Sequence, residues 1–331
     1  MSQYDQLFPL FYEYDMHVQT IELVKAPGVF KGTTSNGCYS CKKTAAPVTR
    51  LLYVSGVLRD LEQRGWDGAI PLLYTKIDEP YVKHGEEIYY VSEWEESVSI
   101  SKANLSNWAS GTVVRLAEFH QLTQNYRIED PKQVEPLVDA LINRWQSWLR
   151  QLAMFRDLAN ERDYASPFDV VFLANHTFIA DTANQALENL RIWRRRHETS
   201  NQFRLSLIHG YPHPSHTVMN ENGRIRLLNF DRTVFDTPVR DITMMLRNYF
   251  QVGGESKTAT DLFEQYSEVF PLRPEEISLL QYFLQYPERI MRNLESYYNR
   301  RYEWTELYAV KRLEKDLDRL VRLNRWTNQA F

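Results

Sequence analysis

The stretch His209-Gly210-Tyr211-Pro212-His213-Pro214-Ser215-His216 has the frame of a loop that could serve phosphoryl transfer. Such a loop needs an Asp to orient and deprotonate an acceptor hydroxyl, and five residues later an Asn to hold a metal ion. Here Tyr211 stands where the Asp belongs and His216 where the Asn belongs. Downstream, Leu228-Asn229-Phe230-Asp231 reads as the strand-end metal site, with Asn229 replacing its leading Asp. A tyrosine hydroxyl with an ordinary pKa near 10 is a poor base at neutral pH. Magnesium prefers oxygen ligands with at least one carboxylate, whereas an imidazole suits softer metals. Three replacements in one site point to a retained scaffold whose chemistry is lost or altered.

The elements that must carry these residues follow from local pattern. Phe203, Leu205 and Leu207 alternate with polar residues and predict a short strand running into His209. Asn222-Gly223 predicts a two-residue hairpin turn between His216–Met219 and Arg224–Leu228. The order is strand, polar loop, hairpin, then a strand end bearing a carboxylate. Upstream, Thr20–Val24, Gly28–Lys31, Cys38–Lys42, Leu72–Thr75 and Ile88–Val91 read as five strands. Asn36-Gly37 and the neighbourhood of Pro27-Gly28 supply turns, and His84-Gly85 turns the chain before the last strand. Leu51, Val54, Leu58 and Leu61 repeat at helical spacing, with Gly65 as the cap that follows.

From about Ser101 onward the pattern is helical. Val113, Leu116, Ala117 and His120 share one face; Leu137, Leu141, Trp145, Leu149 and Leu152 form a second stripe; Ala183, Ala186, Leu187, Leu190 and Trp193 a third. Pro274-Glu275-Glu276 is a helix start, and Val310, Leu313, Leu317 and Leu320 mark a last amphipathic helix. The fold class expected is α+β and bilobal: a small β-rich N-lobe over residues 1–97 and a large helical C-lobe over 98–331 that carries the altered loop. Ser92-Glu93-Trp94-Glu95 would be the hinge.

Composition excludes several classes. The 331 residues carry 39 Lys and Arg against 43 Asp and Glu, a net charge of −4, so nucleic acid is not an expected partner. No apolar run is long enough to span a bilayer, and membrane insertion is not expected. The segment Met1–Asp5 has no basic and apolar signal pattern, so no secretory signal is expected. The two cysteines, Cys38 and Cys41, lack the further ligands of a zinc site, and three apart in a strand they point to opposite faces; packing is their expected role. The basic run Arg191–His197 reads as the polar end of a helix, with a docking patch as the other reading. His209, His213 and His216 need no metal to explain them, and no metal site is expected.

Tyr89–Trp94, Leu116–His120, Ser166–Asp169, the His209 loop, and Leu228–Arg232 through Pro238–Ile242 together resemble the CotS-type spore coat proteins, most closely YsxE-like members. These are similar to aminoglycoside phosphotransferases and choline kinases, a branch of the protein-kinase-like fold. The resemblance implies a coat-associated protein, made in the mother-cell cytoplasm and deposited in the spore coat, with other coat proteins as partners. It implies that Lys42 is the phosphate-facing lysine, that Glu93 and Asp231 border a nucleotide site, and that His209 and Asp241 hold the catalytic loop. The lysine's usual partner is a helix carboxylate; the first half of the Pro47–Arg64 helix has none, and Asp60 and Glu62 lie near its end. Three functions stay open: a catalytically degenerate pseudokinase with a structural or assembly role and no cofactor; a phosphotransferase with rearranged residues, binding ATP and magnesium weakly; and a nucleotide or metabolite sensor without turnover.

Overall fold

The computed structural model describes residues 5–26, 28–124, 126, 137–197, 204–301 and 303–331. Pro27, Phe203 and Tyr302 lie outside the described residues. The chain divides into two compact units, one formed by residues 1–124 and 207–234, the other by 125–206 and 235–331.

The first unit is built on a five-stranded antiparallel sheet. Its strands are β1 (Val18–Lys25), β2 (Val29–Thr34), β3 (Gly37–Thr44), β4 (Val82–His84) and β5 (Glu87–Glu93), in the order β1-β2-β3-β5-β4. In β3, Cys41 lies opposite Phe30 and Val91, while Lys42 lies opposite Val29 and Tyr90. Alternation therefore sends Cys41 to one face and Lys42 to the other. The Cys41 face is sealed by a short N-terminal helix, α1 (Phe8–Tyr12), whose Leu10 and Phe11 join Ile21, Phe30, Cys41, Tyr89 and Val91 in one buried cluster. Burial pushes the Cys41 thiol up to about 12, which makes it an inert packing group.

One expected strand is corrected. Leu72–Thr75 contributes only an isolated bridge, Leu72 to Ser92, before the chain turns through Asp78 in the left-handed region. The fifth strand is β4 instead, a three-residue hairpin partner of β5 whose polar residues gave no alternation to read. The turn between β4 and β5 does contain Gly85, at φ +60°.

The sheet's other elements meet the expected stripes. Helix α2 (Val48–Gln63) buries Leu51, Val54, Leu58 and Leu61, and Gly65 follows it at φ +86°. Helix α3 (Leu105–Thr123) buries Val113, Leu116, Ala117 and His120. The strand before His209 is shorter than expected, β6 (Ser206–Ile208), with all three residues buried. The hairpin β7 (Thr217–Met219) to β8 (Ile225–Leu227) has a five-residue loop, not a two-residue turn. Asn220 Oδ1 accepts the amides of Asn222 and Arg224, at 3.0 and 2.9 Å, and this side-chain bridge sets the longer loop. Helix α3 lies close on β8 at Gly111, where a Cβ would stand 2.4 Å from Ile225 Cγ1.

The second unit is built mainly of helices, before β6 and after β9 (Val234–Asp236). It comprises α4 (Leu137–Asn160), α5 (Pro167–Arg196), α6 (Val239–Gln251), α7 (Ser256–Val269), α8 (Pro274–Gln285), α9 (Glu288–Tyr298) and α10 (Glu306–Ala330). The buried stripe of α4 is Trp145, Trp148, Leu152, Phe155 and Ala159; Leu141 and Leu149 are only half-buried because the stripe is centred on the tryptophans. A capping box between Ser166 and Asp169 starts α5, which buries Ala183, Ala186, Leu187, Leu190 and Trp193. At its basic end Arg194 grips Asp139 with two bonds of 2.9 and 3.0 Å, and Arg191 and Arg195 face Glu188. Among the described residues no helix is long and apolar enough to cross a membrane.

The plug of α1 depends on one close approach. A Cβ on Gly32 would sit 2.6 Å from Phe11 Cζ, so the ring occupies space that any other residue would fill. Gly32→Ala is expected to lower stability by about 1–3 kcal/mol, and Phe11→Leu in the same chain to recover part of it. Denaturant unfolding of the two single variants and the double variant checks this; additive losses would contradict the packing described.

Candidate functional site

The site is built on the Lys42 face of the sheet and on the segment after β8, all within the first unit. Lys42 Nζ lies 2.5 Å from Asp231 Oδ2 and donates to Asn229 Oδ1 at 3.2 Å. The two side chains of the ion pair are only 15% and 21% exposed. Lys42 also lies 5.7 Å from the centre of the Tyr90 ring, its cross-strand neighbour. The Tyr90 hydroxyl reaches Asn229 Oδ1 at 3.4 Å. Burial, followed by the charge of Asp231, holds the Tyr90 phenol well above its ordinary range, so it stays a neutral donor.

Backbone conformation makes this meeting possible. Asn229 adopts φ 67° and ψ 58°, a left-handed conformation that Asn tolerates better than most residues. The chain then enters a single 3₁₀ turn, Phe230–Arg232, which carries Asp231 round to Lys42. Helix α2 places no carboxylate in its first turn. It supplies Arg50, whose Nη1 donates to the Asp231 carbonyl oxygen at 2.9 Å. Asp60, at the far end of the helix, pairs with Arg64 at 2.8 Å.

The loop after β6 is fixed by its own backbone. His209 is fully buried; its Nδ1 accepts the Tyr211 amide at 3.2 Å and its Nε2 lies 2.9 Å from the Leu228 carbonyl oxygen. The two contacts together require the proton on Nε2. Gly210 sits at φ +81°, and a Cβ there would lie 2.4 Å from the Arg232 carbonyl oxygen. The loop thus rests directly on the turn that bears Asp231. The Tyr211 ring stacks on His213 at 5.5 Å, with the Arg232 guanidinium 4.7 Å from its centre. The His216 ring meets Tyr211 edge-on at 4.9 Å and His209 at 6.1 Å. Its Nδ1 is buried without a hydrogen-bond partner among the described residues. Burial first, then the nearby His209 and Lys42, depress its pKa to about 2, so His216 is a neutral imidazole at any physiological pH.

The structure therefore brings Lys42, Asn229 and Asp231 into one knot, with Tyr211 and His216 in the loop that packs on it. Glu93 is not part of the knot: it is exposed at the end of β5, opposite Tyr39. Asp241 belongs to the other unit, fully buried in the first turn of α6. Sequence reading missed Tyr90 and Arg50. The signal for Tyr90 was the Lys42 register on β5, and for Arg50 a cation three residues after Pro47 where a carboxylate was sought.

This donor set does not fit magnesium. The one carboxylate, Asp231, is held by Lys42, the Asn229 oxygen already accepts from Lys42 and Tyr90, and His216 offers a nitrogen. Among the described residues no group of three or more His, Cys, Asp or Glu side chains is placed to hold a metal ion.

A family model described as "Spore coat putative kinase YutH" matches residues 10–329. Among solved structures, an aminoglycoside phosphotransferase from Alicyclobacillus acidocaldarius is similar at 18% identity and TM-score 0.80, covering 97% of this chain and 96% of that one. An AMP-bound spectinomycin phosphotransferase is similar at 14% identity and TM-score 0.72, covering 98% and 97%. A choline kinase from Streptococcus pneumoniae is similar at 14% and 0.54, covering 92% and 94%. At these identities the likeness is one of fold: α+β and protein-kinase-like.

The buried histidine generates a pH prediction. With a folded pKa near 2 against 6.5 for an ordinary histidine, His216 gains a proton on unfolding whenever the pH is below 6.5. Acid therefore destabilises the fold through this residue, and stability is recovered as pH rises to 6.5. His216→Gln should flatten the fall in unfolding free energy between pH 6 and pH 4 by up to about 1.4 kcal/mol per pH unit. Parallel curves for the two proteins would contradict a buried neutral imidazole.

Proposed function

The chain belongs to the YutH family of spore coat proteins, and from that premise we propose that it is a catalytically degenerate member of the kinase-like fold. In this reading it serves the spore coat as a structural or assembly component. It is made in the mother-cell cytoplasm and then deposited, and its partners are other coat proteins. The observation that carries the reading is the engagement of Lys42 by Asp231 and Asn229. In a working phosphotransferase the lysine charge is directed at nucleotide phosphates, and metal ions neutralise the charge that develops on transfer. Here the lysine charge is answered inside the protein, and Asp231 cannot serve both a cation and a metal without breaking that pair. Tyr211 and His216 supply neither the carboxylate base nor the amide oxygen that such a loop uses. Attraction of phosphate by Lys42 or Arg50 alone would bind a ground state and not accelerate transfer.

A second reading is favoured by the survival of Asp231 beside Lys42. A phosphotransferase with rearranged residues would use Asp231 as its metal carboxylate after Lys42 moves to the phosphates. The two readings separate on turnover.

Melting of the purified chain should be unchanged by millimolar ATP, ADP or GTP, with or without magnesium or manganese. The triple variant Tyr211→Asp, His216→Asn and Asn229→Asp should gain a magnesium-dependent rise of about 2–4 °C with nucleotide, before any turnover appears. Robust ATP turnover by the unaltered chain that disappears in Asp231→Ala would overturn the degenerate reading and establish the second.

A further inference from the structure

The five-stranded sheet of the first unit ends in two edges of opposite character. At one edge, β4 is three residues long and carries exposed Lys83 and His84, features that discourage further pairing. At the other, β1 runs for eight residues and is rich in β-branched side chains, Val18, Thr20, Ile21 and Val24. Among the described residues β1 pairs with β2 alone, and no other backbone hydrogen bond reaches it. Its outer amides and carbonyls are a row of unmatched donors and acceptors, the template on which another strand can form.

A bulge gives this edge a symmetric pattern. Glu22 lies opposite Lys31, Leu23 opposite Phe30 and Lys25 opposite Val29, so Val24 is an extra residue and Glu22, Leu23 and Lys25 occupy successive rungs of the ladder. Val29 and Lys31 are two apart on β2 and share a face. Glu22 and Lys25 therefore share that face as well, one rung on either side of Leu23. In a regular strand Lys25 would have followed Leu23 to the opposite face. Leu23 itself is the open end of a cross-strand row, Val91-Cys41-Phe30-Leu23. The first three are buried, whereas Leu23 is 42% exposed, with Val24 beside it at 49%.

We infer that the β1 edge pairs antiparallel with the β1 edge of a second copy of this chain, about a two-fold axis through Leu23. The axis sets Leu23 against Leu23 of the second copy and so closes the apolar row. It also brings Glu22 of each chain opposite Lys25 of the other, and two opposite-charge pairs flank one apolar pair. The new ladder supplies partners to the outer amides and carbonyls of both strands. An axis one rung away, through Glu22, would set two carboxylates face to face, so charge selects the register. The inference holds whether or not the Lys42 site turns over nucleotide.

The test is analytical ultracentrifugation of the full chain at low salt. The contact is short, so a reversible monomer–dimer equilibrium is expected that becomes visible as concentration rises to about 100 μM, and that weakens as salt is added. Glu22→Lys and Lys25→Glu each turn two opposite-charge pairs into like-charge pairs and should weaken dimerisation about 10-fold. The double variant Glu22→Lys/Lys25→Glu should recover most of the affinity. An equimolar mixture of the two single variants should associate as the unaltered chain does, because each then supplies the charge that the other lacks. Lys83→Glu, a reversal on the β4 edge, should leave the equilibrium unchanged. A chain that stays monomeric, a dimer indifferent to the reversals at positions 22 and 25, an equal loss in Lys83→Glu, or a mixture that fails to associate would each overturn the proposal.

Discussion

A lysine ammonium that is largely withdrawn from water must find a counter-charge, and what stands opposite Lys42 decides the character of the site around it. Helix α2 offers it Arg50 in its first turn and no carboxylate. The counter-charge comes instead from Asp231, brought round by the left-handed Asn229 and the turn after it. Once that pair forms, the neutral Asn229 oxygen completes the ammonium's shell and Tyr90 closes over it. An Asp at position 229 would place two carboxylates beside one lysine, an arrangement that favours a divalent cation; Asn229 removes that surplus of negative charge. The replacement and the ion pair are one design.

The neighbouring loop is held by its own backbone. His209 ties the loop to the end of β8 through the contact of its Nε2 with the Leu228 carbonyl oxygen, its Nδ1 accepts the Tyr211 amide inside the loop, and Gly210 allows the approach to Arg232. The positions that would do chemistry are occupied by rings packed on rings: Tyr211 between His213 and Arg232, and His216 edge-on to Tyr211. A neutral imidazole whose buried Nδ1 has no hydrogen-bond partner among the described residues contributes packing and an acid sensitivity. The loop's shape rests on His209 and Gly210 and not on the side chains at positions 211 and 216.

What the chain discloses to pattern reading follows the range of the interaction involved. The altered loop, the strand end and their order are local, and turn residues punctuate them; the helix of Leu51, Val54, Leu58 and Leu61 is equally local and was legible. Polar or short elements were not. The strand β4 has exposed Lys83 and His84 and no alternation, whereas Leu72–Thr75 has the apolar pattern of a strand and forms only a bridge. The Asn222-Gly223 turn suggested a tight hairpin, but the side chain of Asn220 set a longer loop. The α1 plug turns on Phe11 filling the space over Gly32, a contact no periodicity encodes. The counter-charge of Lys42 lies 189 residues away, beyond the reach of any local pattern.

The Lys42 charge is answered by Asp231 inside the protein. A double-mutant cycle on unfolding free energy, with Lys42→Met, Asp231→Asn and both together, measures that pairing directly. The account predicts a favourable coupling of about 1–3 kcal/mol, with each single variant costing more than the double variant's loss would allow if the effects were independent. Strictly additive losses would contradict it and leave the lysine free for another partner.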